Sequence, residues 1–595
     1  MAILVKDNKI RTVIKLSRRA FGKYKLQTII LTALGFLTGL LEGVGISAII
    51  PLFSFITKDK ENGTDFISQS IENFFLYFNI NFSVNYLLIF VSLLFVARAV
   101  LLILCGFIKI KITTDYQRCV RDDLFNKTIK SNWPHLLKQK VGYLDTVIIN
   151  DVNNGAKLLD QISMMIMTIT SLLMYTLVAV NISFYITGLT FVLGGILFLV
   201  CKPLIYKTRV LARETGLVNK DVAHYIGENI IGMKTIKTMS VENRVIATGK
   251  KHFDKLKELE IKLYLLKEIT GDFIPPVSLV FICVIFAFSY QSPAFNFAAL
   301  AAIIYLIQKI FSYIQQLQNT LHSVSASAPF LITVMDYQEQ SEKNKEAKGG
   351  ANSFEFNDKL EFSNVSFSYN GSSKILSRIN FAVKKGELVG LIGPSGAGKT
   401  TIVDLILRLF QPSGGEILLD GKNINSINLE EWRKNAGYVS QDMFLINDTI
   451  ANNIRFYNPE ISDKAIAEAA KMANIYDFIQ SCPEKFATVV GERGVLLSAG
   501  QRQRIAIARV LVRQPKFLVL DEATSALDNE SELEIQEVIK GLREKVTVFI
   551  VAHRLSTVIN SDRLIVLADK RIIEQGSPDS LLQNKQSYFA KVYNL

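Results

Sequence analysis

The chain is poor in the residues that build extracellular staples and metal centres. Its five cysteines, Cys105, Cys119, Cys201, Cys283 and Cys482, include no CxxC pair, and its five histidines show no HxxH or HxxxH spacing. A disulfide framework and a zinc-type site are therefore not expected. Charge is also scarce, at 20% Asp, Glu, Lys and Arg against 49% hydrophobic residues over 595 positions, which is more apolar than a soluble protein requires. The net charge of +13 is spread between apolar segments rather than gathered into a basic block with interleaved aromatics, so no nucleic-acid partner is expected. The basic start MAILVKDNKIRTVIKLSRRAFGKYK lacks an apolar run with a small-residue cleavage site. It reads as a retained cytoplasmic segment, although an organellar transit peptide has the same basic, acid-poor composition.

What is present is long hydrophobic runs. Crossing about 30 Å of hydrocarbon takes about 20 apolar residues, and six stretches qualify: Leu26 to Ile56, Tyr86 to Ile110, Gln161 to Val180, Ser183 to Val200, Phe273 to Tyr290 and Phe295 to Leu317. Lysine and arginine crowd the N-terminal segment and the connections after spans two and four, whereas the opposite side carries only Lys58 and Lys60. The charge bias places both termini in the cytoplasm. Glu42 and Arg98 fall at similar depths in spans one and two and could pair, either to fix helix packing or to meet a cargo. Lys202, Asp272 and Lys309 lie close enough to helix ends to snorkel or to face a cytoplasmic cavity, and Tyr305, Gln308 and Ser312 give span six a partly polar face.

After a polar stretch from Glu339 to Asn352 the pattern changes. KLEFSNVSFSY alternates like a strand, and LVGLIG, KFLVLD and VTVFIVAH read as buried parallel strands separated by helical patterns. The expected architecture is multidomain: an α-helical membrane domain over 1–335, a linker over 336–352, and an α/β P-loop ATPase domain over 353–595.

Within the second domain, Gly393-Pro394-Ser395-Gly396-Ala397-Gly398-Lys399-Thr400 fits GxxxxGK[ST] between a strand and a helix. The glycines turn backbone N–H groups toward a phosphate chain, Lys399 reaches its terminal phosphates, and the Thr400 hydroxyl can ligate Mg2+. In FLVLDE a strand delivers Asp521 and Glu522 at its carboxyl end, the first to hold Mg2+ and the second to orient the attacking water.

Between these lies Leu497-Ser498-Ala499-Gly500-Gln501-Arg502-Gln503-Arg504, and here the chain resembles the ATP-binding cassette (ABC) superfamily, whose signature reads LSGGQ. The resemblance covers essentially the whole chain and assigns further roles. Tyr369 would stack on adenine, Gln441 in YVSQD would act at the catalytic and metal site, and Thr401 would join the phosphate loop. Ser525-Ala526-Leu527-Asp528 follows Glu522, with Asp528 at the nucleotide, and His553 in VAHR would be catalytic with Glu522. Ala499 departs from the usual glycine but keeps the backbone N–H. ATP and Mg2+ are the implied cofactors.

In this family one cassette's signature closes over another's phosphate loop, which implies a dimer. Intact Glu522 and His553 favour a homodimer over a heterodimer with one degenerate site. Spans fused ahead of the cassette, and Val490-Gly491-Glu492-Arg493-Gly494 before the signature, look like the exporter branch. Segments near Asn132 to Leu137 and Asp221 to Ile231 would be coupling helices. The first span is similar to those of bacterial exporters that flip lipid-linked oligosaccharides, and less like the multidrug or lipid A type. No peptidase domain precedes it, which argues against an exporter of leader-bearing peptides. The implied activity is ATP-driven export or flipping of an amphipathic substrate across the inner membrane. A multidrug or peptide exporter is the alternative, and an ATP-gated channel or regulatory subunit is the alternative of another class.

Overall fold

The computed structural model describes residues 21–48, 66–140, 142–290, 297–369, 373–522, 528–552 and 554–593. The chain divides into two compact units, Met1–Ser131 with His135–Lys345, and Asn132–Pro134 with Glu346–Leu595.

The first unit is built of helices: α1 (Lys25–Ser47), α2 (Phe66–Tyr77), α3 (Val84–Ile129), α4 (Trp133–Leu136, whose first two residues are assigned to the second unit), α5 (Val152–Ile182), α6 (Phe184–Ile231), α7 (Met233–Thr238), α8 (Glu242–Asp272), α9 (Ile274–Ser289) and α10 (Phe297–Lys343). Apolar runs that must satisfy every backbone group internally can only be helical in hydrocarbon. Among the described residues, five stretches are long and apolar enough to cross a bilayer: Gly22–Gly45, Val84–Ile129, Tyr143–Ile182, Phe184–Ile231 and Glu242–Phe288. The sixth expected span begins at residues outside the described set and continues as α10. The end of span one, with Lys58 and Lys60, also lies outside the described residues.

At about 1.5 Å per residue the 46-residue α3 is about 70 Å long, more than twice the hydrocarbon thickness, so it must extend well beyond the bilayer. The third and fourth spans are separated by Ser183 alone, whose extended backbone breaks the helix and whose hydroxyl caps α6 by accepting from Ile186 N. Pro275 and Pro276 open α9, where missing N–H groups cost nothing, and so divide it from α8 at Phe273.

Two expectations are redrawn. Asp221 to Ile231 is the last part of the 48-residue α6, not a separate helix; the short separate helix is α7, after Gly232. The other segment, Asn132 to Leu137, does hold the short α4. Helix α10 continues through Lys343, so the first part of the stretch read as linker is helical. Lys202 stands in α6 two residues past the apolar run that ends at Val200, Asp272 is the last residue of α8, and the Lys309 ammonium of α10 sits 5.8 Å from the Tyr305 ring centroid.

The second unit contains β1 (Lys359–Phe367), β2 (Leu376–Lys384), β3 (Leu388–Ile392), α11 (Lys399–Ile406), β4 (Gly414–Leu419), β5 (Lys422–Asn423), β6 (Ala436–Val439), α12 (Ala499–Leu511), β7 (Phe517–Asp521), α13 (Asn529–Leu542), β8 (Thr547–Val551), β9 (Arg563–Ala568) and β10 (Arg571–Gly576). They form an antiparallel sheet ordered β2-β1-β4-β5 and a larger one ordered β10-β9-β3-β8-β7-β6. In the larger sheet β9, β3, β8, β7 and β6 run parallel and β10 is the antiparallel edge. Strands β3, β7 and β8 are buried at every position, as continuous apolar runs require when both faces are covered. Their carboxyl ends gather the functional side chains at one edge, where open α/β sheets bind ligands.

Candidate active site: a nucleotide cradle at the strand ends

The phosphate loop joins β3 to α11. Gly393 passes so close to Leu567 that any Cβ would meet its carbonyl oxygen at 2.0 Å, and Gly398 enters the helix at φ +105°, a backbone that side chains disfavour. Both positions therefore need glycine for steric reasons. Gly396 also has positive φ, and Pro394, Ser395 and Gly396 are exposed at the loop's tip, with Ala397 half-buried behind them.

Lys399 is only 5% exposed, and its ammonium donates to the carbonyls of Gly393 at 2.9 Å and Pro394 at 3.2 Å, which folds it over the loop. Burial pulls its pKa below the ordinary value, and the Glu522 and Asp521 carboxylates partly offset that. Thr400 is exposed, whereas Thr401 is buried and its hydroxyl lies 3.4 Å from Tyr369 OH. Tyr369 is braced edge-on by Phe367 and Phe410, with ring centroids 4.8 and 5.2 Å away, which presets its ring.

Asp521 closes β7 and is 5% exposed. Glu522 then takes φ +50°, while its N–H keeps the sheet pairing by donating to Val551 O at 2.9 Å. The left-handed turn immediately after a hydrogen-bonded strand re-aims the Glu522 side chain, a strained conformation of the kind found at functional sites. Gln441 is exposed just beyond the carboxyl end of β6, on the neighbouring strand. Thr400, Gln441 and Asp521 carry hydroxyl, amide and carboxylate oxygens, the hard donor types that suit Mg2+.

Sequence reading missed two members of this cluster. Asp404 stands one helical turn beyond Thr400 on α11, and its pKa is pushed up to about 6, by burial first and by the Asp521 charge second. Tyr438 on β6 is likewise raised, by burial and by the charges of Asp521 and Asp404. The signal for Asp404 was present as an acidic residue at i+4 from the loop's threonine.

The signature heads α12. Ser498 caps the helix by accepting from Gln501 N at 3.2 Å, and Gln501 Oε1 accepts in return from Ser498 N at 2.9 Å. The methyl of Ala499 packs onto the apolar core beside β7 and β8, so the extra carbon is absorbed inward. Gly500 has no such freedom, since a Cβ there would lie 2.4 Å from Ser531 Oγ. Asp528 caps α13 by accepting from Ser531 N at 3.0 Å.

One turn along α13, Glu532 is 7% exposed and accepts from Arg554 Nη1, from Ser556 Oγ and, at 3.2 Å, from Gln536 Nε2. It ties the helix after Asp528 to the segment following His553, another link that no motif announced. His553 itself and Ser525, Ala526 and Leu527 lie outside the described residues.

Residues 376–525 match the family model of the ABC transporter and residues 28–291 that of the ABC transporter transmembrane region. The chain is similar to an ATP-dependent lipid A-core flippase of Syntrophus aciditrophicus, 32% identical over 501 residues and covering 82% of this chain and 81% of the relative. It is also similar to a putative multidrug export ATP-binding/permease protein of Bacillus subtilis, 32% identical over 478 residues, covering 79% and 82%. Among solved structures, a bacterial Atm1-family ABC exporter with ATP bound shares the fold, with a TM-score of 0.75 at 23% identity over 99% of both chains. A membrane region and an ATP-binding cassette on one polypeptide, matched along most of their length, place this chain in the ABC transporter family, where ATP hydrolysis is coupled to transport.

Proposed function

We propose that two copies of this chain form an exporter that moves an amphipathic lipid with a large polar head group across the inner membrane, with both termini and the ATPase domain on the cytoplasmic side. The observation that carries the ATP-driven part is Glu522, turned by its left-handed backbone at the end of β7 beside Asp521 and in the field of Lys399.

Each ATP would lie between the loop Gly393 to Thr401, with Tyr369 on its base, and Ser498, Ala499, Gly500 and Gln501 of the second copy. Asp528 would stand beside it. Thr400, Gln441 and Asp521 would hold a Mg2+ ion arriving with ATP, which would supply positive charge against the phosphate chain. Lys399 donates to the terminal phosphates, Glu522 orients the attacking water, and His553 contacts the γ-phosphate. ATP performs work by binding one arrangement of the dimer better than the other, and hydrolysis restores the first.

A lipid cargo is supported by the lipid A-core flippase name of the Syntrophus relative, the type that the first span was read as resembling less than lipid-linked oligosaccharide flippases. The Bacillus relative keeps a multidrug exporter as the second reading. The test is movement of a labelled lipid-linked oligosaccharide in proteoliposomes holding only this chain, with Glu522→Gln as control. Movement that the substitution abolishes supports the proposal. ATP hydrolysis without movement rejects that cargo, and absence of hydrolysis rejects the homodimer.

A further inference from the structure

The membrane unit holds a cleft of about 460 Å3 that neither the ion pair of the spans nor the ATP site uses. One wall is a stripe on α10, Ser312, Gln315, Gln316, Asn319, Thr320 and Ser323, at offsets 0, 3, 4, 7, 8 and 11 that all fall on one helical face. Opposite it stand Gln161 and Met164 from α5 and Lys267 from α8. At about 1.5 Å per residue the stripe is about 17 Å long, enough to meet several rings of a head group rather than one small ion.

The walls are fixed from behind. Gly271 lets the α8 backbone approach α10, since a Cβ there would touch the Asn319 amide at 3.1 Å, and Gln315 Nε2 donates to Gly271 O at 2.7 Å. One turn on, the His322 ring is 1% exposed and bridges Thr208 at 2.8 Å and Thr270 at 3.0 Å, joining α6, α8 and α10. Lys267 lies one turn from Thr270 on the same helix and forms no ion pair with a described residue.

Amides both donate and accept, and hydroxyls do the same, so this lining can satisfy a ligand carrying many O–H groups without knowing the orientation of each. Its single charge is positive. It offers neither an aromatic face nor a carboxylate, the two features that attract a cationic drug. By the spans read above, Lys267 precedes the fifth and Asn319, Thr320 and Ser323 follow the sixth, so the cleft lies at the cytoplasmic ends of these helices, at the level of lipid head groups.

We infer that this α5–α8–α10 cleft is the head-group subsite of the cargo and takes a hydroxyl-rich head group bearing an anionic phosphate, with Lys267 on the phosphate and the α10 stripe on the hydroxyls. This rests on the proposed lipid transport and names its substrate class.

The test uses the full chain in phosphatidylcholine vesicles and follows ATP hydrolysis against three added probes: phosphatidylinositol, a neutral galactolipid and the cationic dye rhodamine 6G. Phosphatidylinositol is expected to stimulate most. Losing one charge-assisted contact, as in Lys267→Gln, should raise its half-stimulating concentration about tenfold, with Lys267→Arg restoring it. The galactolipid response should be indifferent to Lys267→Gln but fall with Gln316→Leu. Stimulation by rhodamine 6G alone, or a phosphatidylinositol response that neither substitution alters, overturns the subsite. A phosphatidylinositol response identical in Lys267→Gln but still lost in Gln316→Leu overturns the phosphate assignment. Failure of lipid transport itself is read separately, as wild-type hydrolysis with no movement of any labelled lipid.

Discussion

Glu42 on α1 meets Arg98 on α3 at 2.7 Å, and the carboxylate is 3% exposed. The same Glu42 oxygen accepts from Tyr313 OH of α10, also at 2.7 Å, so one acid fastens three helices of the membrane unit. Both charges are occupied by protein partners, which favours helix packing over cargo contact as their role.

Breaking the pair from one side strands a buried charge. Arg98→Leu should cost about 3–5 kcal/mol of stability, and the double variant Glu42→Gln with Arg98→Leu should recover part of it. Thermal unfolding of the purified protein in detergent measures both, and a double variant no better than the single one would count against a structural pair.

Glu522→Gln keeps the shape of the side chain but removes the charge that orients water. ATP hydrolysis should fall about a hundredfold or more while nucleotide binding persists. Phosphate release and binding of a fluorescent ATP analogue, measured side by side, separate the two effects.

Glu532 donates its N–H to Asp528 O at 3.0 Å, and its carboxylate holds Arg554 and Ser556, which follow His553 in the chain. Glu532→Ala should lower kcat with little change in the KM for ATP and cost about 1–3 kcal/mol of cassette stability; Glu532→Gln should rescue part of kcat. A proportionate rise in KM would point instead to a disturbed binding site.

Ala499→Gly converts the signature to the usual pair of glycines. Because the methyl packs inward, the change should leave apparent ATP affinity unchanged and destabilise by about 1 kcal/mol at most. A clear gain in affinity would show that the methyl obstructs nucleotide.

Asp420 accepts from the backbone N–H groups of Asn357, Asp358 and Lys359 at 2.6, 2.9 and 2.9 Å. Burial alone would raise its pKa, but these bonds outweigh it and hold the carboxyl below the ordinary value of 3.8. A depressed carboxylate contributes stability that is present above its unfolded pKa and is lost as pH falls through the folded one. Acid unfolding followed by Trp432 fluorescence in a Trp133→Phe background should therefore show stability falling below about pH 4, and Asp420→Ala should flatten that limb.

The phosphate loop, the strand-end acids and the signature were legible because each depends on local backbone chemistry. A glycine where Leu567 O approaches, a lysine at a helix start and an acid at a strand end are properties of short segments. The spans were legible for a similar reason, since hydrocarbon demands long apolar helices whatever their neighbours. Boundaries were less so: nothing local distinguishes Asp221 to Ile231 as the end of α6 from a separate coupling helix, and the charged residues up to Lys343 are equally compatible with helix or linker.

What the sequence determined by itself is an ATP-driven membrane transporter, because motifs of a few residues carry phosphate chemistry and hydropathy carries membrane insertion. Tertiary structure alone decided that Glu42 and Arg98 are partners, that Glu532 reaches Arg554, and that polar residues from α5, α8 and α10 share one cleft. Those relationships join residues far apart in the chain, and packing, not local propensity, sets the distances between them.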